Sequence, residues 1–248
     1  MPPIFPAMGE HSLDGRVYAV AGAAGGLGPV VCERLASAGA SLSLADRSLE
    51  SAQGVVDSLE LGEDRLQPYE VDLLDPAAAA GWAQAVSGQF GHCDGLIHLV
   101  GGWRGGEPIE SFDLADYDFL HDLLVRTVQH TSRAFYSSLS NSPQGRFVLV
   151  SSSVAQKPNA TSAAYASAKA AAEAWTLSLA DSLTDTRATS NILVVNAIVT
   201  AQMRADEPDK DFSTFTSTEQ IADSIVYLCS EAASSMNGQR LDLFPAGS

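Results

Sequence analysis

A tyrosine and a lysine stand four residues apart in the stretch SAAYASAKAAAEAW, residues 162–175. On a helix, residues i and i+4 lie on the same face with their side chains close together. A phenol has a free pKa of about 10, and an ammonium ~5 Å away would stabilise its phenolate by roughly 3 kcal/mol. Tyr165 and Lys169 are therefore a candidate acid–base pair. The alternative is a buried tyrosine next to a surface lysine.

A strand that ends in serines precedes this pair. The stretch GRFVLVSSS contains an apolar run, which predicts a buried strand over 146–152. Side chains alternate along a strand, so neighbouring serines point in different directions. Ser152, 13 residues before Tyr165, has the spacing expected of a hydroxyl that hydrogen-bonds the same substrate oxygen.

A glycine-rich loop follows the first predicted strand. Gly22, Gly26 and Gly28 give the pattern G-x-x-x-G-x-G, and Gly25 also permits G-x-x-G-x-x-G, so the pattern does not choose between related nucleotide folds. Glycines at these positions allow a tight turn and close approach to a pyrophosphate at a helix N-terminus. These three glycines and Leu27 are the residues we expect to contact a dinucleotide. A plain tight turn is the alternative.

Asp46 ends the second predicted strand, 18 residues after Gly28. An acid at this position is expected to hydrogen-bond the adenosine ribose diol, and it would repel a 2′-phosphate by up to ~4 kcal/mol. The sequence therefore predicts NAD(H) rather than NADP(H), although Arg47 could turn toward a phosphate. The alternative for Asp46 is an acid in the N-cap region of the next helix. Asp72, after the third strand, is a candidate for the adenine amino group or an ordinary turn acid.

Short apolar runs alternate with longer amphipathic stretches, which is typical of a parallel sheet covered on both faces. We predict an α/β fold: a single-domain, Rossmann-type doubly wound parallel sheet of about seven strands over residues 13–248, after an N-terminal extension, 1–12. Ligands bind such sheets beyond the carboxyl ends of the strands. The predicted strands are 16–22, 40–46, 66–72, 95–101, 146–152, 191–197 and 239–244, and the predicted helices are 28–38, 48–60, 75–90, 113–137, 163–184 and 218–232.

Composition limits the possible partners and the compartment. The chain of 248 residues has a net charge of −16, which disfavours nucleic acid and anionic membranes. Its three cysteines lie far apart, so we expect neither a disulfide framework nor a metal site. The N-terminus lacks the pattern of a signal peptide, and no apolar segment reaches the ~18 residues of a membrane span. These features predict a cytoplasmic protein.

From about Leu13 to Leu243 the chain resembles the short-chain dehydrogenase/reductase family. The resemblance rests on the glycine loop, Asp46, the set Ser152…Tyr165-x-x-x-Lys169, and the closing SEAASSMNGQRLDL. It implies an NAD(H)-dependent oxidoreductase that interconverts an alcohol and a carbonyl by hydride transfer. Tyr165 would be the general acid and base, and Ser152 the oxygen stabiliser. Lys169 would also hold the nicotinamide ribose.

The family also implies a homodimer or homotetramer, packed through the small-residue face of helix 163–184 and the long helix 113–137. A rival reading is a protein that binds NAD with weak or no turnover. A second rival, epimerisation or dehydration on the same fold, usually needs a larger C-terminal substrate domain than 248 residues leave room for.

Several positions depart from the family pattern. Residues 98–101 read HLVG where the family has N-N-A-G, so His98 is either a satisfied strand-end histidine or a substrate-side polar group. Leu124 stands where the family has an asparagine that seats a relay water, and His121, one helical turn earlier, could substitute for it. The usual proline-glycine after strand six is missing. Thr200, in its place, is expected to contact the nicotinamide carboxamide.

Two segments on the substrate side are also unusual. Trp103 and Arg104 lie between glycine pairs in the loop 101–108, where they could clasp an aromatic or anionic substrate or simply belong to a flexible surface loop. The segment 200–217 is shorter than the usual substrate lid of the family. We therefore expect an active site that is open or completed by a partner subunit.

Overall fold

The structure is a computed structural model, and it describes residues 11–244. Seven parallel strands form its central sheet in the order β3-β2-β1-β4-β5-β6-β9. The predicted single-domain doubly wound fold is confirmed. Most of the extension predicted for residues 1–12, and the last four residues of the predicted domain, lie outside the described residues. The strands of this sheet are β1 (Val17–Ala21), β2 (Ser41–Asp46), β3 (Leu66–Glu70), β4 (Gly95–His98), β5 (Arg146–Ser152), β6 (Thr189–Val195) and β9 (Arg240–Asp242).

Eight α-helices surround the sheet in the described part of the chain. Most begin with a side-chain cap: Ser48, Asp75 and Ser217, for example, each accept a hydrogen bond from a backbone N–H of the first turn. The helices are α1 (Gly28–Ser37), α2 (Leu49–Ser58), α3 (Pro76–Phe90), α4 (Leu114–His121), α5 (Thr127–Asn141), α6 (Ala163–Ser182), α7 (Ala201–Asp206) and α8 (Thr218–Cys229).

Two hydrophobic cores lie on opposite faces of the sheet, which explains why its central strands are apolar on both sides. β1 and β6 are buried along their whole length. One core packs α1, α2 and α8 against the sheet. The other packs α3, α5 and α6, with Trp82 and Phe135 in an edge-to-face contact of 4.8 Å between ring centroids.

The structure corrects two of the predicted elements. The long helix predicted over 113–137 is divided by a π-helical turn, Asp122–Arg126, and continues to Asn141. The strand predicted over 191–197 ends at Val195. A separate two-stranded sheet follows, in which β7 (Ile198–Val199) pairs with β8 (Thr216–Ser217), and α7 lies between those strands.

The strand order reverses between β1 and β4, which lie side by side at the centre of the sheet. In doubly wound folds this is where the crevice beyond the carboxyl ends of the strands opens. The loops after β1, β4, β5 and β6 therefore meet at one edge, together with the first turns of α6.

Candidate active site

A cleft of about 690 Å³ lies at this carboxyl edge of the sheet. Strand order brings to it residues that are more than 170 positions apart in the chain. It contains most of the predicted site residues and leaves out Asp72 and Arg104. The predicted residues that line it are Gly22, Gly26, Leu27, Gly28, Asp46, Trp103, Ser152, Tyr165, Lys169 and Thr200.

The glycine loop forms one wall of the cleft through close backbone packing. Gly22 has φ of +79°, and a Cβ there would lie 3.1 Å from the Val100 nitrogen in the loop after β4. A side chain at Gly28 would collide with the Ala23 carbonyl, whereas the space beside Gly26 is open. α1 begins at Gly28 without a side-chain cap. Its first N–H groups are therefore suited to an anion.

Asp46 is fixed between the glycine loop and the end of β2. Its carboxylate accepts hydrogen bonds from the Ala24 N–H at 3.3 Å and from the Arg47 N–H at 2.8 Å. Both Asp46 and Arg47 line the cleft. The negative charge is thus held at the end of the cleft next to the glycine loop.

Asp72 lies outside the cleft. Its carboxylate accepts a hydrogen bond from the Leu74 N–H at 2.9 Å, and its backbone carbonyl accepts one from Asp75. These contacts are those of a turn acid. The two neighbours, Val71 and Leu73, line the cleft instead. Of the two alternatives stated for Asp72, the structure favours the turn.

α6 carries Tyr165 and Lys169 into the cleft on the same helical face. The Lys169 Nζ lies 5.8 Å from the centroid of the Tyr165 ring. Lys169 is buried, and its ammonium donates a hydrogen bond of 2.9 Å to the Val150 carbonyl. Ser152, buried at the end of β5, lines the same cleft. The three side chains predicted from their spacing therefore meet.

The pKa of Tyr165 moves in the direction opposite to the one expected from its lysine neighbour. Burial raises this pKa above its ordinary value of 10.0, and a hydrogen bond with Ser152 acts in the lowering direction. Removing the phenolate from water raises its free energy by more than the hydrogen bond with Ser152 lowers it. At neutral pH the phenol therefore carries its proton.

Burial lowers the pKa of Lys169 from 10.5 to about 8, and the charge of Glu173 acts to raise it. Glu173 lies one helical turn further along α6 and is itself buried. It accepts a hydrogen bond from Ser151 and an ion pair from Arg240 of β9, each at 2.6 Å. This buried carboxylate does not line the cleft, but it acts on Lys169, and sequence reasoning missed it. Its position four residues after Lys169 was the available signal.

His98 is fully buried between β4 and α5. Its two ring nitrogens lie 3.2 Å from the hydroxyls of Thr127 and Thr131. Burial, with a smaller contribution from the charge of Lys169, lowers the pKa of His98 to about 3. It is therefore a neutral, satisfied histidine. Of the two alternatives given for His98, the structure favours the strand-end brace.

Leu124 is buried in a small apolar cluster with Leu120 and Val125, against Ala164 and Ala168 of α6. The ring of Tyr165 packs against the same cluster. Leu124 also lies within the π-helical turn, a feature that often occurs at functional sites. The position that the family pattern gives to a relay asparagine is thus apolar here.

The mouth of the cleft comprises the loop 101–108 and the segment 200–217. Trp103 lines the cleft, but Arg104 does not: its guanidinium lies 4.8 Å from the Phe119 ring centroid and 3.7 Å from an Asp116 oxygen. From 200–217, only Thr200 and Met203 line the cleft. The segment thus contributes two residues to the wall of the cleft, and the expected open or partner-completed site stays a prediction.

Metal sites and membrane-spanning helices were two further possibilities for residues 11–244. No group of three or more His, Cys, Asp or Glu side chains there could hold a metal ion. Within that range, none of the helices combines the length and apolarity needed to cross a bilayer.

Comparison with known proteins matches residues 16–211 to the family model described as short chain dehydrogenase. A short chain dehydrogenase from Pseudocercospora fijiensis is 32% identical over 186 residues, which are 75% of this chain and 60% of that protein. This chain thus spans less than two thirds of that relative's length. The 7alpha-hydroxysteroid dehydrogenase of Escherichia coli strain K12 is 26% identical over 244 residues, 95% of each chain.

A solved structure shows the same architecture. The crystal structure of a short chain dehydrogenase from Burkholderia cenocepacia J2315, in complex with NADP, superposes with a TM-score of 0.81 at 27% identity. The match covers 94% of this chain and 97% of that one.

Proposed function

Because this chain belongs to the short-chain dehydrogenase family, we propose that it is an NAD(H)-dependent oxidoreductase that interconverts an alcohol and a carbonyl. The observation that supports this proposal is the meeting of Ser152, Tyr165 and Lys169 in the cleft that also contains the glycine loop. The substrate is a small molecule.

The residues present suit a dinucleotide. The uncapped start of α1 and the open space beside Gly26 would receive the pyrophosphate, with Leu27 and the other loop glycines around it. Asp46 would bind the adenosine ribose, Lys169 the nicotinamide ribose, and Thr200 the carboxamide. When bound, NAD(H) supplies or accepts the hydride.

In carbonyl reduction, this chain's residues handle the oxygen and its proton. Ser152 donates a hydrogen bond to the carbonyl oxygen, and Tyr165 transfers its phenolic proton to that oxygen as negative charge develops. The raised pKa of Tyr165 keeps this proton available at neutral pH. The buried ammonium of Lys169 then stabilises the phenolate that remains. In alcohol oxidation, Tyr165 takes the proton back.

The cofactor preference follows from Asp46. Its carboxylate is held by two backbone N–H groups, so it cannot easily turn away from a 2′-phosphate. The Burkholderia relative was solved with NADP, and Arg47 is the residue of this chain that could favour that cofactor. We propose NAD(H), because the fixed charge of Asp46 lies at the end of β2 itself.

Dissociation constants for NADH and NADPH test this preference. We expect the wild type to bind NADH more tightly than NADPH. Asp46→Ala should lower the ratio of the NADPH to the NADH dissociation constant by about tenfold to a hundredfold. Asp57→Ala removes an exposed carboxylate from α2, outside the cleft, and should leave the ratio unchanged. A wild type that binds NADPH as tightly as NADH would contradict the proposed preference.

The second candidate is a protein that binds NAD with weak or no turnover. The apolar packing of Leu124 favours it, because leucine cannot hold a relay water. NADH binding without hydride exchange across a broad panel of carbonyls and alcohols would support this candidate. NADH oxidation that depends on Tyr165 would exclude it.

We further propose that the protein is a cytoplasmic homodimer or homotetramer that packs through α5 and α6. A surface groove between these helices is lined by Tyr136, Trp175 and Leu179 among others. Light scattering after size-exclusion chromatography gives the mass directly. A monomer at micromolar concentration would contradict this part of the proposal.

A further inference from the structure

Trp103 presents an aromatic face that the described protein leaves uncovered. It lines the cleft, yet 56% of its surface is exposed. The loop that carries it is held in place, because the Gly106 N–H donates a hydrogen bond of 2.9 Å to the Thr161 carbonyl. The indole rests against the backbone of Gly105, where an added Cβ would lie 3.1 Å from the ring. An exposed tryptophan held in a cleft is suited to packing against a ligand.

The cleft wall next to the loop that carries Trp103 is apolar. The Leu123 side chain abuts this loop at Gly102, and both Leu123 and Met203 line the cleft. Hydrocarbon and an indole ring therefore form this part of the cleft surface.

The polar side chains at this end already have protein partners. Asn196 accepts a hydrogen bond from the Ser153 hydroxyl at 3.2 Å and donates one to the Thr214 carbonyl at 3.3 Å. Thr200 caps α7 by accepting a hydrogen bond from the Met203 N–H at 3.1 Å. Neither needs a polar substrate group to satisfy it.

No cation among the described residues of the cleft is placed to receive an anionic substrate. Among the described residues that line the cleft, the basic side chains are Arg47 and Lys169. Arg47 follows Asp46 at the adenosine end of the proposed site, and Lys169 belongs to the proposed proton-transfer group. Arg104 lies outside the cleft, against Phe119 and Asp116. The net charge of −16 adds a repulsive field.

We infer that the substrate is a neutral alcohol or carbonyl compound with an apolar body that packs against Trp103, rather than a carboxylate or phosphate ester. This inference rests on the proposed function, because it assigns the substrate class of that same cleft. Among the roles that the sequence allowed for the loop 101–108, this inference favours binding of an aromatic substrate over binding of an anionic one and over a flexible surface loop.

Matched pairs of ketones test this inference. Acetophenone and 4-acetylbenzoate differ by one carboxylate, and longer neutral and carboxylated pairs extend the series. We measure kcat/KM with NADH and with NADPH for the wild type and for Trp103→Ala. Ile109→Ala is the control, because Ile109 is 71% exposed and lies in the same region but does not line the cleft.

The neutral member of each pair should have a kcat/KM at least about tenfold higher than its carboxylated partner. Trp103→Ala should lower kcat/KM for neutral aryl ketones by about threefold to tenfold, and the control should not. Carboxylated ketones that react as well as neutral ones, or equal losses in the two variants, would overturn the inference and leave the proposed function intact. Absence of turnover for both members of every pair would overturn both.

Discussion

The floor and the mouth of the cleft are built differently. The floor, which we define as Ser152, Tyr165 and Lys169 together with His98 and Glu173, two buried residues that do not line the cleft, consists mostly of buried side chains held by strands and the long helix α6. Its polar atoms bond to other parts of the fold, as Lys169 does to Val150.

The mouth, the loop 101–108 and the segment 200–217, is largely exposed and contains short elements and few long-range bonds. Under the proposed function, the difference would assign proton transfer to the buried part of the fold and substrate choice to the exposed part. Substitutions in the floor should change catalysis or stability strongly, whereas those in the mouth should change mainly the choice of substrate.

The largest effect is expected in the floor, at Tyr165. Replacing Tyr165 with phenylalanine removes the proton donor and should lower kcat by about a hundredfold to ten-thousandfold. NADH binding should remain, because the glycine loop and Asp46 are unchanged. Stopped-flow or steady-state assays measure kcat, and calorimetry measures NADH binding. Tyr69→Phe, outside the cleft, is the matched control. Full turnover by Tyr165→Phe would remove the distinction between floor and mouth.

Lys169 should show a conflict between function and stability. Its pKa falls from 10.5 to about 8 on burial, so the unfolded chain binds more protons between these values. The stability of the wild type should therefore rise as pH increases through that window. At pH 7, Lys169→Met should be inactive yet more stable by about 1–2 kcal/mol, after allowance for the lost hydrogen bond to Val150.

Urea denaturation at pH 7 and pH 10.5 measures this difference, which should shrink at the higher pH. Lys157→Met, at an exposed lysine, is the control and should change stability little at either pH. A Lys169→Met variant that is less stable than the wild type at pH 7 would show that the ammonium stabilises the floor.

The smallest effect on the fold is expected in the mouth, at Met203. Met203→Ala should change the free energy of unfolding by at most about 1 kcal/mol, because α7 packs only partly against the body. It should raise KM for neutral ketones a few-fold and leave kcat nearly unchanged, since Met203 lines the cleft from the mouth and not from the floor. Thermal denaturation and initial rates measure the two effects. A loss of kcat comparable with that of Tyr165→Phe would place Met203 in the floor.

The sequence predicts the floor better than the mouth for a physical reason. Strands and helices with continuous apolar patterns are determined locally, and the i, i+4 spacing is enough to place Tyr165 and Lys169 on one face. β7, β8 and α7 are short and depend on a long-range pairing, Ile198 with Thr216, that local pattern does not show. The π-helical turn likewise leaves the apolar pattern nearly unchanged.

The sequence also fails to predict pKa shifts and the hydrogen-bond partners of individual side chains. The expected lowering of the pKa of Tyr165 has the wrong sign, because burial outweighs the hydrogen bond with Ser152. Asp72 and Arg104 have suitable side chains, but local partners hold them outside the cleft. Each of these outcomes depends on distances that a linear pattern does not contain.

The most direct test of the central claim is isotopic. Protein supplied with NADH deuterated at C4 of the dihydronicotinamide, together with a panel of neutral ketones and aldehydes, should place deuterium on the carbinol carbon of the product alcohol. Mass spectrometry detects the label, and we expect its transfer by Tyr165→Phe to be slower by at least about a hundredfold. NADH that binds without delivering label to any product, or equal transfer by the variant, would contradict the account.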